Sequence, residues 1–356
     1  MNIRLTKLRG AMAESSLDAV WITTAENHLY FCGFDNPDGQ LLITKENAYV
    51  FADFRYIEAA KREAFPECTV IMPKGSRKDY LLPLLEENGV HTVGYEDLYL
   101  SCHSYDRLKA DLAGYETAPL GSSLDMLRCV KSEEEIQCII RAQRIAEDAL
   151  AALLKNITYD MTEIEVAAEL EYHMKKNGSQ KPSFDTIAVS GSASSSPHGV
   201  PRNVKLEKGF LTMDFGAVVD GYHSDMTRTI VIGKADADMK KLYDTVLTAQ
   251  CAALDAIRAG AKNADMDKIA RDIIYGAGYE GCFGHSLGHG VGLKIHETPS
   301  VSGGAGDRVL SPMEVITVEP GIYIEGKYGC RIEDMMVVTE SGGRNLTNAP
   351  KEMIEI

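Results

Sequence analysis

The chain has 356 residues, 45% of them hydrophobic and 25% charged, with a formal net charge of −15. That length suits two domains rather than one, and the mixture is that of an ordinary globular protein. The acidic balance argues against a nucleic-acid partner, which would call for a basic face. Eight cysteines are scattered with no Cys-x-x-Cys spacing, so neither a zinc knuckle nor a disulfide framework is expected. Met1–Arg9 holds three basic residues with no apolar run of signal length after it, and no stretch has the length of apolar sequence a bilayer requires. A cytoplasmic protein with no membrane partner is the expectation.

The first part alternates helix and strand. Ile3, Leu5, Leu8 and Met12 predict an amphipathic helix over 3–16, and 19–23 reads as a strand. Strands at 41–44 and 49–51 pair around the short turn 45–47. A helix at 56–64, a strand at 68–72, a helix at 80–88 and a strand at 93–95 follow. This alternation predicts an α/β domain with a largely parallel sheet. It contains no Gly-x-x-x-x-Gly-Lys phosphate loop, so nucleotide binding has no support. The polar joint Gly121-Ser122-Ser123 divides the chain into an N-terminal domain, 1–123, and a C-terminal domain, 124–356.

Beyond the joint, two capping boxes, Ser132–Glu135 and Thr162–Glu165, open helices over 133–156 and 162–177, the second stopped by Asn177-Gly178. Strands near 184–190, 210–218 and 223–232 come next. The order then recurs: helices near 237–259 and 265–277, then strands near 314–319 and 331–338. Residues 157–178 can be laid on 257–278 without a gap. Two such halves would enclose a cleft between their sheets, a good place for a site.

Four acids interrupt the apolar strands. Asp220-Gly221 is a hairpin signal. If it is the two-residue loop, Asp225 lies opposite Gly216, and Asp214 projects from the same face. Glu319 and Glu333 stand in comparable strands of the second half. Each of the four is flanked by Val, Ile, Leu, Met or Phe, and an unpaired buried carboxylate there would cost several kcal/mol. Asp220 and Asp334 are read as solvated strand ends, and His223 as structural. Between the halves lies a Gly-rich stretch with three of the nine histidines, His285, His289 and His296. Four carboxylates and one imidazole would hold two divalent cations. Such an oxygen-rich set suits manganese, cobalt or ferrous iron better than a structural zinc. Two ions of this kind do hydrolytic chemistry.

These residues resemble the pita-bread metallopeptidases, the family of aminopeptidase P, prolidase and methionine aminopeptidase. The proline-peptidase signature is matched by His285-Ser-Leu-Gly-His289-Gly-Val-Gly-Leu-Lys-Ile-His296-Glu297, and the Asp214…Asp225, Val-Glu319-Pro-Gly and Arg331-Ile-Glu333-Asp blocks match in order. The resemblance covers the whole chain. It implies a creatinase-like N-terminal α/β domain followed by an α+β pita-bread catalytic domain with a pseudo-twofold repeat. Simple methionine aminopeptidases lack the first domain; creatinase has the fold without the ligands, all five of which are present here.

By that resemblance Asp214, Asp225, His289, Glu319 and Glu333 are the metal ligands, with Asp225 and Glu333 bridging two ions. Manganese is the first expectation; cobalt, ferrous iron or zinc are the others. A bridging hydroxide would attack the bond before proline, with Glu319 as proton shuttle. His198 and His296 would stabilise the oxyanion. His285 would shape the substrate pocket, and Arg331 would orient Glu333 or contact substrate. The implied substrates are short peptides with proline second, and the implied assembly is a homodimer. Some dipeptide-specific prolidases carry an arginine shortly after the His-Glu pair. Here Ser300 stands in that place, which favours an aminopeptidase over a strict dipeptidase. The alternatives on the same fold are a creatinase-like hydrolase and a non-catalytic binding module.

Overall fold

The structure is a computed structural model that describes residues 2–356. It forms two compact units, Met1–Arg128 and Cys129–Ile356. In the first, α1 (Ile3–Glu14) is capped by the Asn2 side chain and buries Leu5, Leu8 and Met12, the spacing of one helical face. It is followed by β1 (Ala19–Ile22), α2 (Ala25–Cys32), β2 (Gln40–Thr44), β3 (Ala48–Phe51), α3 (Ile57–Glu63), β4 (Thr69–Ile71), α4 (Arg77–Glu87), β5 (Thr92–Tyr95), α5 (Cys102–Asp111) and β6 (Glu116–Pro119). The pattern of apolar residues does not announce α2 or α5. Asn27 and His28 are buried in α2, and α5 buries only Leu108.

The six strands lie in the order β4-β3-β2-β1-β5-β6. Pairs β1–β5, β5–β6 and β3–β4 are parallel, but β2 runs against both β1 and β3. The expected largely parallel sheet is therefore mixed. The tight 45–47 turn makes β2 and β3 a hairpin, whereas a parallel pair needs a long crossover.

Helix α6 (Ser123–Cys129) spans the division at 128. The second unit then builds one motif twice. The first half holds α7 (Glu133–Asn156), α8 (Glu163–Lys176), β7 (Ile187–Ser190), β8 (Gly209–Phe215), β9 (Val218–Val219), β10 (Tyr222–His223) and β11 (Met226–Ile232). The second half holds α9 (Ala237–Ala256), α10 (Asn263–Gly276), β12 (Gly288–Gly290), β13 (Glu297–Val301), β14 (Val315–Val318), β15 (Gly321–Ile324), β16 (Tyr328–Arg331), β17 (Asp334–Val338) and β18 (Gly343–Asn345). Helices α8 and α10 start and end 100 residues apart, so the ungapped overlay of 157–178 on 257–278 is a structural repeat. Both expected capping boxes close with side chain and backbone bonded reciprocally.

Each half covers one sheet face with its helix pair. Ala142, Ala146, Ala149 and Leu153 of α7, with Val166 and Leu170 of α8, pack on Leu211, Met213 and Phe215. Leu242, Val246 and Ala249 of α9, with Ala270 and Ile274 of α10, pack on Ile316, Val318 and Met336. Each fully buried Leu, Ile, Val or Phe contributes about 1.5–3 kcal/mol, so strand parity is strongly fixed. Parity then decides where the acids point. Thr212 and Asp214 alternate with Leu211, Met213 and Phe215, and Thr317 and Glu319 alternate with Ile316 and Val318. The face turned away from the helices therefore carries a Thr-x-acid pair in each half.

Candidate metal and active site

The β8–β11 hairpin has the expected register. Val219 opposes Tyr222 and Val218 opposes His223 around the two-residue loop Asp220-Gly221, and Asp214 opposes Thr227. Asp220 and Gly221 have φ of 51° and 80°, the left-handed pair of a type I′ turn. Between the two ladder segments Gly216 passes against the chain around Asp225. A Cβ at Gly216 would lie 1.9 Å from the Ser224 carbonyl oxygen. Only glycine lets the strands close there and bring Asp214 and Asp225 to one wall.

In the second half, a Cβ on Gly288 would lie 2.0 Å from the Thr317 carbonyl oxygen, so β12 also approaches its neighbour as only glycine permits. The next amide, of His289, donates to Thr317 Oγ1 at 3.0 Å, and the Thr317 hydroxyl donates to Glu319 at 3.2 Å. A register shift between His289 and Gly290 turns the imidazole out of the ladder. Its Nδ1 lies 3.0 Å from the Gly290 carbonyl, which can only accept, so Nδ1 carries the proton and Nε2 offers a lone pair. Nε2 stands 3.5 Å from both Asp225 and Glu319.

All of this opens into one cavity of about 730 Å³. Its wall includes Asp214, Asp225, His289, Glu319 and Glu333, together with His198, His285, His296 and Arg331. Asp225, His289 and Glu333 each offer a ligand atom within 4.8 Å of the other two. Asp225 and Glu333 are almost wholly buried. Burial first, and then repulsion among the acids, pushes the Asp225 and Glu333 carboxyls well above the usual carboxylate range. Glu319 is pushed up to about 8 by burial, and Arg331 only partly offsets this. His289, desolvated, is held down to about 4, which keeps its ring neutral. Asp214 keeps one buried oxygen, Oδ1, without a hydrogen-bond partner. Concentrated carboxylate oxygen, one neutral imidazole and an orphaned Oδ1 form a donor set short of positive charge. It fits divalent cations.

Two groups support this site from behind the acids. Arg331 does not bond Glu333 directly. It donates to Asp214 Oδ2 at 2.6 Å, the Tyr323 hydroxyl at 2.7 Å, the Pro197 carbonyl at 3.2 Å and Thr227 Oγ1 at 2.9 Å; that same Thr227 hydroxyl donates to Glu333 at 2.7 Å. Asp334 is not a solvated strand end. It is wholly buried, paired with Arg228 and Lys351 at 2.8 Å each. Arg228 also donates to the Glu333 backbone carbonyl at 2.6 Å, so Asp334 belongs to a buried network that fixes the neighbouring Glu333.

His285 lines the cavity with Nε2 3.0 Å from the Tyr323 hydroxyl, which links it to Arg331. The His296 ring meets that of His289 edge to face, centroids 4.3 Å apart. His198 lies on the exposed cavity side of the loop after β7. His223 is buried away from the wall, 2.8 Å from Ser183 Oγ. Asp220 is exposed and pairs with Arg141.

Several wall residues carried no signal of their own: Phe184, Asp185, Ile187, Val200 and Ile295. Thr227 and Tyr323 likewise carry no local signal of a role. For Thr317 a signal existed. Thr212-x-Asp214-x-Gly216 recurs as Thr317-x-Glu319-x-Gly321. No helix among the described residues is long and apolar enough to cross a membrane, and the eight cysteines are free thiols.

Comparison with known proteins agrees with this geometry. Residues 137–340 match Metallopeptidase family M24, and residues 4–130 match the Creatinase/Prolidase N-terminal domain. The chain is 39% identical over 356 residues to an Xaa-Pro dipeptidase of Pyrococcus horikoshii, covering 99% of each protein. Among solved structures it resembles an Xaa-Pro dipeptidase from Bacillus anthracis, with 38% identity, a TM-score of 0.95 and 99% of both chains covered. It also resembles an X-Pro aminopeptidase from Thermotoga maritima, with 34% identity, a TM-score of 0.92, and 99% and 100% of the two chains covered.

Proposed function

The chain belongs to Metallopeptidase family M24, in its two-domain pita-bread form, and from that premise we propose that it hydrolyses the bond before proline at the second position of short peptides. One observation carries the reading: a single cavity collects Asp214, Asp225, Glu319 and Glu333, the His289 imidazole with its Nε2 lone pair turned to the acids, and three further histidines. Asp214, Asp225, His289, Glu319 and Glu333 would hold two divalent ions, manganese first among the candidates. When bound, such ions supply Lewis acidity to the scissile carbonyl and lower the pKa of water beside it.

The chain's own residues do the rest. Glu319 takes a proton from the attacking water and passes it to the departing proline nitrogen. Like any amide nitrogen it leaves only when a proton is delivered to it, and as part of a tertiary amide it offers no N–H for a peptidase to hold. His198 and His296 face the carbonyl from the exposed wall and donate to the oxygen as charge develops there. His285 holds its place through Tyr323, and Arg331 keeps Asp214 and the carbonyl of Pro197 in register. Phe184, Ile187, Val200 and Ile295 give the wall apolar surface for a side chain and the proline ring.

The same wall speaks to peptide length. Ser300 lines it, and Arg331 is its only lysine or arginine, with donors already spent on Asp214, Tyr323, Pro197 and Thr227. A dipeptide's carboxylate finds no free guanidinium among these residues, so we take the enzyme to accept longer peptides. The test is a rate comparison under manganese. A tetrapeptide Xaa-Pro-Yaa-Zaa should be cleaved at least as efficiently as the dipeptide Xaa-Pro. Cleavage of the dipeptide alone would make the enzyme a strict dipeptidase and overturn this part of the reading.

A further inference from the structure

We propose that Glu163, on α8 and outside the cavity wall, is a positioning residue that clasps both ends of the loop carrying His198 and so sets where that imidazole stands. The inference rests on the peptidase reading above. The loop leaves β7 at Ser190 and returns at Arg202. Between them, Pro197, His198, Gly199 and Val200 face the cavity.

Both loop ends converge on one carboxylate. Glu163 Oε1 accepts from the Ser190 amide at 2.7 Å, the Ser190 hydroxyl at 2.8 Å and Arg202 Nη2 at 2.6 Å. Oε2 accepts from the Arg202 amide and Nε, both at 2.9 Å. The helix start answers in kind, since the Glu163 and Ile164 amides donate to the carbonyls of Val204 and Arg202. Five donors on a wholly buried carboxylate, two of them the fork of one arginine, make a strong and directional joint. Burial raises the Glu163 carboxyl, but the Arg202 and Ser190 bonds outweigh it and hold it below its ordinary value, so the clasp is ionic.

The other bonds at these ends run through the same two residues. Arg202 Nη2 also donates to the Ser190 carbonyl at 3.3 Å and to Glu207 at 3.2 Å, and the Glu207 amide donates to the Ser190 hydroxyl at 3.0 Å, so Glu163 is the hub of the joint. The loop's middle is tied by Ser194 to the Gly329 amide and by the Pro197 carbonyl to Arg331. His198 lies between the Pro197 tie and the Arg202 clasp, on an exposed stretch whose course the clasp determines. A displacement there of about 1 Å is enough to cost a reaction on the order of a hundredfold in rate.

The test is a double-mutant cycle in the metal-loaded full chain: Glu163→Gln, His198→Ala and the pair together. Glu163→Gln keeps the shape and removes the charge. It should lower kcat on an Xaa-Pro peptide by about tenfold or more, leave KM and metal content nearly unchanged, and speed hydrogen exchange over 191–201. In the His198→Ala background the same change should cost less than about twofold. An equal loss in both backgrounds, or unchanged exchange over 191–201, would overturn the proposal. Should Glu163→Gln fail to fold, Arg202→Lys runs the same cycle from the partly exposed partner. Wild-type inactivity on every Xaa-Pro peptide would count against the peptidase reading instead, and the exchange measurement would then decide the clasp by itself.

Discussion

Arg331 spends its guanidinium on four groups at once: Asp214, Thr227, Tyr323 and the Pro197 carbonyl. It thereby holds one proposed ligand directly and a second, Glu333, through the Thr227 hydroxyl. Lysine offers one point charge and no planar fork, so it cannot serve these directions together. Arg331→Lys should lower metal affinity or activity by about 10–100-fold with the fold retained. Calorimetric metal titration checks this; wild-type affinity together with wild-type turnover would remove Arg331 from the account. Single residues were legible in sequence only where type and strand context agreed. Asp214 reads as an acid in an apolar strand and Asp334 as a solvated strand end, yet Asp334 is the more deeply buried of the two. Their fates differ because Arg228 and Lys351 reach Asp334, while Asp214 faces the cavity. Those cations come from other parts of the chain, so nothing local announced the pairing.

At the scale of elements, the β8–β11 hairpin was fully readable because turn chemistry and strand parity dictate the same register. The short strands β12 and β13 around the histidines were not. Gly288-His289-Gly290 is too short to show alternation, and the close approach of Gly288 to Thr317 of β14 sets β12 in the sheet with β13 on its other side. The helices α7 and α8 were legible through their capping boxes, and α8 also through its Asn177-Gly178 stop. Gly216 supplies the element-scale prediction. Gly216→Ala puts a methyl group into the Ser224 carbonyl, and backbone rather than a flexible side chain must yield. The variant should lose about 1–3 kcal/mol of stability and separate Asp214 from Asp225 enough to weaken metal binding. Thermal unfolding and metal content read both effects, and unchanged values of both would mean the glycine does not set the spacing.

The whole second unit places the unmatched charge of two halves in one cleft, and this fixes the sign of a pH effect. In the metal-free protein, Asp225, Glu319 and Glu333 have raised folded pKa values, so their folded forms hold protons that the unfolded chain has lost. Stability therefore falls as pH rises between the ordinary carboxylate range and the folded values, about 8 for Glu319. His223, His285 and His289, each held down to about 4, work in the opposite sense, but only up to their ordinary value of 6.5. Above that value their contribution, with that of His28 and His296, fades as the unfolded imidazoles finish losing their protons, and the carboxylates remain. The melting temperature of metal-stripped protein should fall from pH 6.5 to 8, and manganese should abolish the fall by countering the charge. A flat or rising profile without metal would contradict the crowding. The repeat that builds this cleft was visible in the order of elements. The mixed character of the first unit's sheet was not, because strand direction depends on which neighbours pair.

The most direct measurement is hydrolysis of an Xaa-Pro peptide by chelator-stripped protein as manganese is added back. The account predicts no turnover without metal and turnover restored with manganese or cobalt, lost again in Glu333→Ala although that variant stays folded. No cleavage of any Xaa-Pro peptide with manganese, cobalt, iron or zinc, or near-wild-type rates in Glu333→Ala, would contradict it.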